Sequence, residues 1–429
     1  MNTVIFTKRN FIFFISTILL LGLFYFECFV DVDKDIDAFI GASRLIATGK
    51  SCYNTWIPSG GGFLLYYYSP LFALLLTPLT FLPQVLVNIV WLSFNLFFLY
   101  RIFRLIEFYL PISTLSSRNR NIYFLLLALS VFRFLLYNFD LGQMTIFLVF
   151  ASLESIRLIL DDKKTLGAAL LALAINIKLL PITLLAYLIY RGEFKASLLT
   201  TFFFILFLFL PVIFIGMDFN TSLIIEWWNL LANTVDNSLV NDSGRQSLSS
   251  FIPSLLMEIS GKVDVRRNIL LLNEETAILI LNMVRGLLVL LTLYFLRSLP
   301  FRKVKNPLQN YYALSYILLI SPLIFPHQGK YSFFYMLPAF SYSIYMAFYL
   351  FKKKKETVNY KMPARFKLAI SSLIASFILT TLTTDGLIGR HYSDIADHFH
   401  FITIGALALI IPLVIFRPEK QFTENKSGK

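Results

Sequence analysis

The sequence predicts an all-α, polytopic transmembrane helical bundle, and three observations carry that reading. The 429-residue chain is 57% hydrophobic and only 15% charged, with a mean hydropathy of +0.70; a soluble fold of this length could not bury so much apolar surface. Apolar runs near twenty residues recur along the whole chain, each about long enough for a bilayer core. Lys and Arg collect in the short connections between runs, where they orient helices. The net charge of +13 has its explanation in those connections, so it does not argue for a nucleic-acid partner. Tyr suits the membrane interface, and the abundant Phe suits lipid-facing or packing positions.

Taken in order, Lys8-Arg9 precede the apolar run from Phe11 to Val30. The run is long and no small-residue cleavage site follows it, so it reads as an uncleaved first span rather than a signal peptide. Further spans are expected at 84–106, 121–138, 144–160, 196–216, 275–297, 308–325, 333–351, 366–384 and 399–416. The run 166–190 needs another solution. Arg157, Lys163 and Lys164 before it and Arg191 and Lys195 after it all read as cytoplasmic. The chain must therefore leave and return within that run, as two helices of roughly twelve residues, about 18 Å each. Pro181 interrupts the helical ladder, so the break is expected at Lys178-Leu-Leu-Pro181. Such broken backbone survives at membrane depth only when buried in protein or facing water. Counting this pair as two gives about twelve crossings.

The polar segments gather on the outer side. Residues 36–48 place Ile36, Phe39, Ile40 and Leu45 near one helical face, and Leu223 to Leu231 with Trp227-Trp228 reads the same way. Both are expected to be short interfacial helices walling a cavity at the membrane surface. The chain reads as one membrane domain over 1–429, with a first outer loop at 31–69 and a large outer loop at 217–270. No internal repeat or low-complexity tract is visible. Cys28 and Cys52 form no metal-binding pattern and are read as two unpaired residues, although a disulfide between them is open.

The first outer loop begins Asp31-Val-Asp-Lys-Asp-Ile-Asp37, which sets four carboxylates at a membrane surface. A carboxylate in a partly dry pocket can take a proton from a sugar hydroxyl. Lys178, Arg245 and His327 also fall outside, and cations there can steady a departing phosphate. Each has a plainer alternative: a solvated boundary for the aspartates, snorkelling for Lys178, an ordinary loop histidine for His327. Glu154 and Arg285 lie mid-span and are expected to face the interior in structural pairs. No cofactor is expected. A divalent ion on the four aspartates is the less favoured alternative to basic side chains alone.

The stretch Asp35…Ala42-Ser-Arg-Leu45…Gly49-Lys50…Tyr53…Tyr68-Ser-Pro-Leu-Phe-Ala-Leu-Leu-Leu-Thr-Pro78…Leu82-Pro83 resembles the first outer loop of glycosyltransferase family 87, of the GT-C superfamily. Gly142-Gln143, Lys178…Pro181, Gln246-Ser247-Leu248 and Ser321-Pro322…His327 follow in the order such proteins show. The chain departs from the pattern at Ile36, Cys52, Ser69-Pro70 and Gln328. The resemblance implies an inverting enzyme of the cell membrane, working on its outer face. It would transfer a hexose, typically mannose, from a polyprenyl-phosphate carrier to a lipid or glycan acceptor. It also implies a first-loop aspartate as base, here Asp35 or Asp37, with Lys178, His327 and Arg245 on the donor phosphate. Tyr68, Gln143, Gln246, Ser247, Gln328 and Lys330 are then expected to contact substrate. The rival readings are a lipid or sugar transporter, since broken helices and membrane charges also mark transport sites, and a non-catalytic scaffold for envelope assembly.

Overall fold

A bilayer offers no water to backbone N–H and C=O groups, so apolar runs must satisfy them internally as helices. The computed structural model describes residues 22, 34–59, 62–236, 244–356, 362 and 364–418. Its helices are α1 (Asp35–Ala47), α2 (Pro70–Leu75), α3 (Gln84–Tyr109), α4 (Ser117–Asp140), α5 (Thr145–Leu160), α6 (Lys164–Ile177), α7 (Thr183–Tyr190) and α8 (Phe194–Phe209). Then come α9 (Met217–Asp236), α10 (Leu248–Leu256), α11 (Glu274–Leu296), α12 (Pro307–Ile324), α13 (Leu337–Glu356), α14 (Phe366–Phe377), α15 (Arg390–His398), α16 (Phe401–Ala408) and α17 (Ile410–Ile415), with short helical turns between some of them. A small antiparallel hairpin, β1 (Ile57–Ser59) with β2 (Gly62–Leu64), follows α1.

Among the described residues, five helices are long and apolar enough to cross a membrane, or six if the pair 390–398 and 401–415 is one span. That pair bends by 62° between 398 and 401, so the span expected at 399–416 corresponds to the arm Phe401–Ile415, with α15 turned away from it. Of the other expected spans, α5 has 16 residues, α6 has 14, α12 has 18 but is not among the five, and α14 continues into a π-helical turn at Ile378–Leu382. Apart from residue 22, the expected span at 11–30, together with Cys28, Asp31 and Asp33, lies outside the described residues.

The break in the 166–190 run falls at Lys178, which is extended at φ −149° and ψ 132° between α6 and the turn Leu180–Ile182. The two halves run out and back. Glu193, just after α7, meets Lys164 at the start of α6 at 3.3 Å and Lys303 at 3.7 Å. Lys178 therefore sits at the end of the bundle opposite Lys164, Glu193 and Lys303. Of these candidate spans, Lys330–Glu356 is the most enclosed by protein and Phe194–Ile215 the least. Tyrosines fill this centre because each has an apolar ring and one hydroxyl that a carbonyl can satisfy. Tyr312, Tyr316 and Tyr342 donate to Leu413 O, Leu288 O and Phe416 O at 3.0, 2.7 and 2.6 Å.

Of the two mid-span charges, Glu154 is neutralised by ion pairs, whereas Arg285 is held by neutral polar groups rather than by a carboxylate. Glu154 accepts two bonds from Arg157 at 2.7 Å and one from Arg101 at 3.1 Å. Arg285 donates to Ser249 Oγ at 2.5 Å. The apolar face of α1 meets protein rather than standing clear for lipid: Phe39 packs edge-on against Tyr66, Tyr68 and Phe72, with centroids 6.5, 4.7 and 5.4 Å away. In α9 the paired tryptophans divide, Trp227 buried and Trp228 exposed. Trp227 Nε1 donates to Tyr67 O at 3.1 Å, which joins the two outer loops.

Candidate functional site

The amino end of α1 is held from two sides. Ser59 Oγ accepts from the Lys34 amide at 3.1 Å and donates to Lys34 O at 3.0 Å. The Asp35 amide donates to Leu141 O at 2.8 Å, tying the first turn of the helix to the turn after α4. That turn depends on Gly142, whose φ is +62°. A Cβ there would come within 3.0 Å of Ile36 Cβ, so glycine permits both the left-handed backbone and the close approach. Trp91 Nε1 donates to Gly142 O at 2.9 Å and locks the turn from α3.

This places Gln143 beside Asp35. Gln143 Nε2 donates a hydrogen bond to Asp35 Oδ2, and its Oε1 accepts from the Tyr68 hydroxyl at 3.2 Å. Burial, then the nearby Tyr331 and Asp35, push the Tyr68 hydroxyl well above its usual range, so it stays a donor. The Asp35 carboxyl is itself raised above the ordinary carboxylate value, mainly by burial. Lys178, Arg245 and the Gln143 bond pull it back down.

Asp37 faces elsewhere. Its Oδ2 accepts from Ser59 at 3.2 Å and its Oδ1 from Gln84 at 3.0 Å. Two residues on a helix are turned by about 200° from each other. The aspartates thus divide: Asp35 joins Gln143, Tyr68, Lys178 and Arg245, and Asp37 braces the hairpin and the start of α3.

Lys178 projects from the break between α6 and α7. Its Nζ lies 5.0 Å from the Tyr331 ring centroid and 5.8 Å from that of Tyr68. Among the described residues no carboxylate forms an ion pair with it. Pro181 keeps the helix from continuing through this point, which leaves Lys178 extended and directed among the aromatic rings.

Two outer stretches form the other wall. Arg245 pairs as an isolated antiparallel bridge with Gly329, and the Gln246 amide donates to Gln328 O at 2.9 Å. Arg245 Nη1 donates to His327 O at 3.2 Å. His327 takes a left-handed φ of +57° to make the turn. Gln328 serves the turn itself, donating to Pro326 O at 2.8 Å and accepting from Ser332 at 2.9 Å. Ser247 is fully buried where α10 begins. Lys330 is drawn away from Asp35 into an ion pair with Asp397 at 2.5 Å. Of the expected site residues, Asp35, Tyr68, Gln143, Lys178 and Arg245 therefore share one neighbourhood. Asp37, Gln328 and Lys330 are engaged in other contacts.

The arrangement is a half-buried carboxylate of raised pKa that feels the charge of two cations, one of them, Lys178, set beside the Tyr68 and Tyr331 rings. A carboxylate so tuned can accept a proton, and the cations can receive developing negative charge. The family model for glycosyltransferase family 87 matches residues 66–326, well over half of the chain. The chain belongs to glycosyltransferase family 87. No curated protein and no solved structure matches it. Membership makes this helical membrane protein a glycosyltransferase, using a sugar donor and an acceptor. The matched region of this family 87 chain includes Tyr68, Gln143, Lys178, Arg245, Gln246 and Ser247; Asp35 and the turn from His327 onward lie outside it.

Sequence reading missed two participants. Tyr331 follows Lys330 directly, and an aromatic beside a basic turn residue was the available signal. Asp397 lies in the stretch His391-Tyr-Ser-Asp-Ile-Ala-Asp-His-Phe-His400, just ahead of the span expected at 399–416. Nothing local in it marks a residue whose partners come from α4 and two distant loops. Among the described residues no group of three or more His, Cys, Asp or Glu side chains is placed to hold a metal ion.

Proposed function

We propose that this chain transfers a hexose, with mannose the leading candidate, from a polyprenyl-phosphate carrier to a lipid or glycan acceptor at the outer face of the cell membrane. Asp35 takes the proton from the acceptor hydroxyl. The hydroxyl oxygen attacks the anomeric carbon as the bond from that carbon to the phosphate oxygen breaks. The lipid phosphate leaves with the electron pair, and Lys178, Arg245 and His327 receive its charge. One displacement inverts the anomeric centre. The carrying observation is that Lys178 lies near enough to half-buried Asp35 for its charge to pull the Asp35 pKa down, while no carboxylate among the described residues is within ion-pair distance of it. A phosphate would supply the anion that Lys178 lacks.

In this reading the chain is one GT-C-type domain over 1–429 that crosses the membrane about twelve times if the short helices count. Tyr68 and Gln143 orient Asp35, and Gln246, Ser247, Gln328 and Lys330 shape the wall beside the donor. The direct test incubates membranes holding the protein with labelled polyprenyl-phosphate hexoses and follows labelled lipid products. Transfer from a nucleotide sugar alone, or no transfer, would sink the reading.

Sidedness is checked by single cysteines in a cysteine-free chain. Positions 178 and 245 should label from outside, and positions 118, 163, 193, 303 and 354 from inside. Labelling of 178 and 193 from one side would overturn the out-and-back path of α6 and α7.

The acid side of the pH profile is a second check. Asp35 acts ionised, so kcat/KM falls as pH drops through its pKa. Burial puts that pKa above the ordinary carboxylate value, while Lys178 and Arg245 hold it down. Arg245→Gln removes one opposing charge, so the acid limb should move to higher pH. An unmoved limb, or one moved to lower pH, would separate Arg245 from Asp35.

A further inference from the structure

Asp397 forms ion pairs with three cations, and the transfer reaction gives it no role. Its side chain is 2% exposed, yet three cations converge on it. Lys330 and Lys262 approach Oδ2 at 2.5 and 2.8 Å, and Arg133 approaches Oδ1 at 3.6 Å. The Asp397 backbone carbonyl accepts from Gln246 Nε2 at 3.3 Å. The cations have secondary partners: Lys330 the Tyr137 hydroxyl at 3.2 Å, Lys262 Asp394 at 3.4 Å, Arg133 Thr383 Oγ1 at 2.8 Å.

These contacts come from α4, from the large outer loop and from the 327–331 turn, and they meet on α15. Two of them grip the short ladder described above. Gln246 adjoins Arg245, and Lys330 follows the Gly329 that pairs with Arg245. Asp397 thus holds both stretches, through Gln246 on one and Lys330 on the other. A charge network buried this deeply keeps one arrangement because each member is costly to leave unpaired.

We propose that Asp397 is a positioning residue: it fixes the 245–246 and 327–330 strands so that Arg245 and His327 stand where the donor phosphate binds. This rests on the reading that those two residues meet that phosphate. Asp397 touches no reacting atom in this scheme. Its effect should appear on the donor side and not on the acceptor side.

The test compares wild type, Asp397→Asn, Lys330→Met and the double variant in detergent or nanodiscs. Donor and acceptor kinetics are measured beside hydrogen exchange of the peptide covering 326–331. Both single variants should lower kcat/KM for the polyprenyl-phosphate donor by about 10²-fold, the scale of a misplaced binding group. The acceptor KM should hold, and exchange at 326–331 should quicken. The double variant should be no worse than the poorer single, because both cut one link. If Asp397→Asn does not fold, Lys330→Met breaks the same link from its more exposed end and carries the test. Unchanged donor kinetics, multiplied effects in the double variant, or equal damage to donor and acceptor KM would overturn the proposal. Failure of the donor reading itself would show separately, as a wild-type protein inactive with every polyprenyl-phosphate sugar.

Discussion

Asp35→Asn should abolish sugar transfer, with a loss of about 10²–10⁴-fold or more, the range for removing a positioned general base. The amide keeps the shape of the carboxylate but takes no proton. Folding should survive. The Asp35 carboxyl is raised by burial above its ordinary value, so the folded state binds its proton more tightly than the unfolded state does. Its ionisation therefore lowers stability as pH rises between the two pKa values. A neutral amide removes that cost, and the variant should melt no lower than wild type at neutral pH. Donor binding should be nearly intact, since Lys178 and Arg245 remain.

Asp37→Asn is the control within the same helix turn. Asp37 accepts from Ser59 and Gln84, and an amide oxygen can still accept one of those bonds. The expected cost is about 1 kcal/mol of stability, the net worth of one hydrogen bond, with transfer largely retained. Initial rates with labelled donor, together with melting curves, check both variants. Wild-type rates in both would refute a first-loop base and move the transporter reading ahead.

Lys178→Ala should lower turnover by about 10²–10³-fold, the effect of deleting one donor to developing charge in a dry site. The ammonium is held by position: the break at Pro181 presents it, and the Tyr331 and Tyr68 rings lie 5.0 and 5.8 Å from it. The loss should fall on kcat as well as kcat/KM, because charge on the phosphate grows as its bond to the sugar breaks. His327→Ala should act in the same direction. Near-normal rates in both would take the pair out of the site and leave Arg245 as the cation to pursue. Arg285 is a weaker candidate, since it bonds Ser249 and Asn282 at 2.5 and 3.3 Å.

Several features could be read along the chain because their causes are local. Proline removes a rung of the helical ladder and kinks or breaks it, so a break beside Lys178 could be read from Pro181, although Pro253 and Pro322 stay inside α10 and α12. The spacing of Ile36, Phe39 and Ile40 marked a helix with one apolar face, and α1 runs Asp35–Ala47. What covers that face was not visible: an apolar stripe suits lipid or protein equally, and here Tyr66, Tyr68 and Phe72 meet Phe39. Short helices such as α5 and α7 are equally ambiguous, because hydropathy counts apolar residues and not the angle at which a helix meets its neighbours.

The sequence by itself determined a helical membrane chain of glycosyltransferase type, and it brought the choice of first-loop carboxylate down to Asp35 and Asp37. Tertiary structure alone separated those two. Asp35 is distinguished by Gln143, 108 residues away, and Asp37 by Ser59 and Gln84, 22 and 47 residues away. It also drew Lys330 out of the neighbourhood of Asp35 and onto Asp397. The physical reason is range. Helix and turn follow from neighbours within a few residues, whereas which face of a carboxylate meets a cation depends on how distant helices pack.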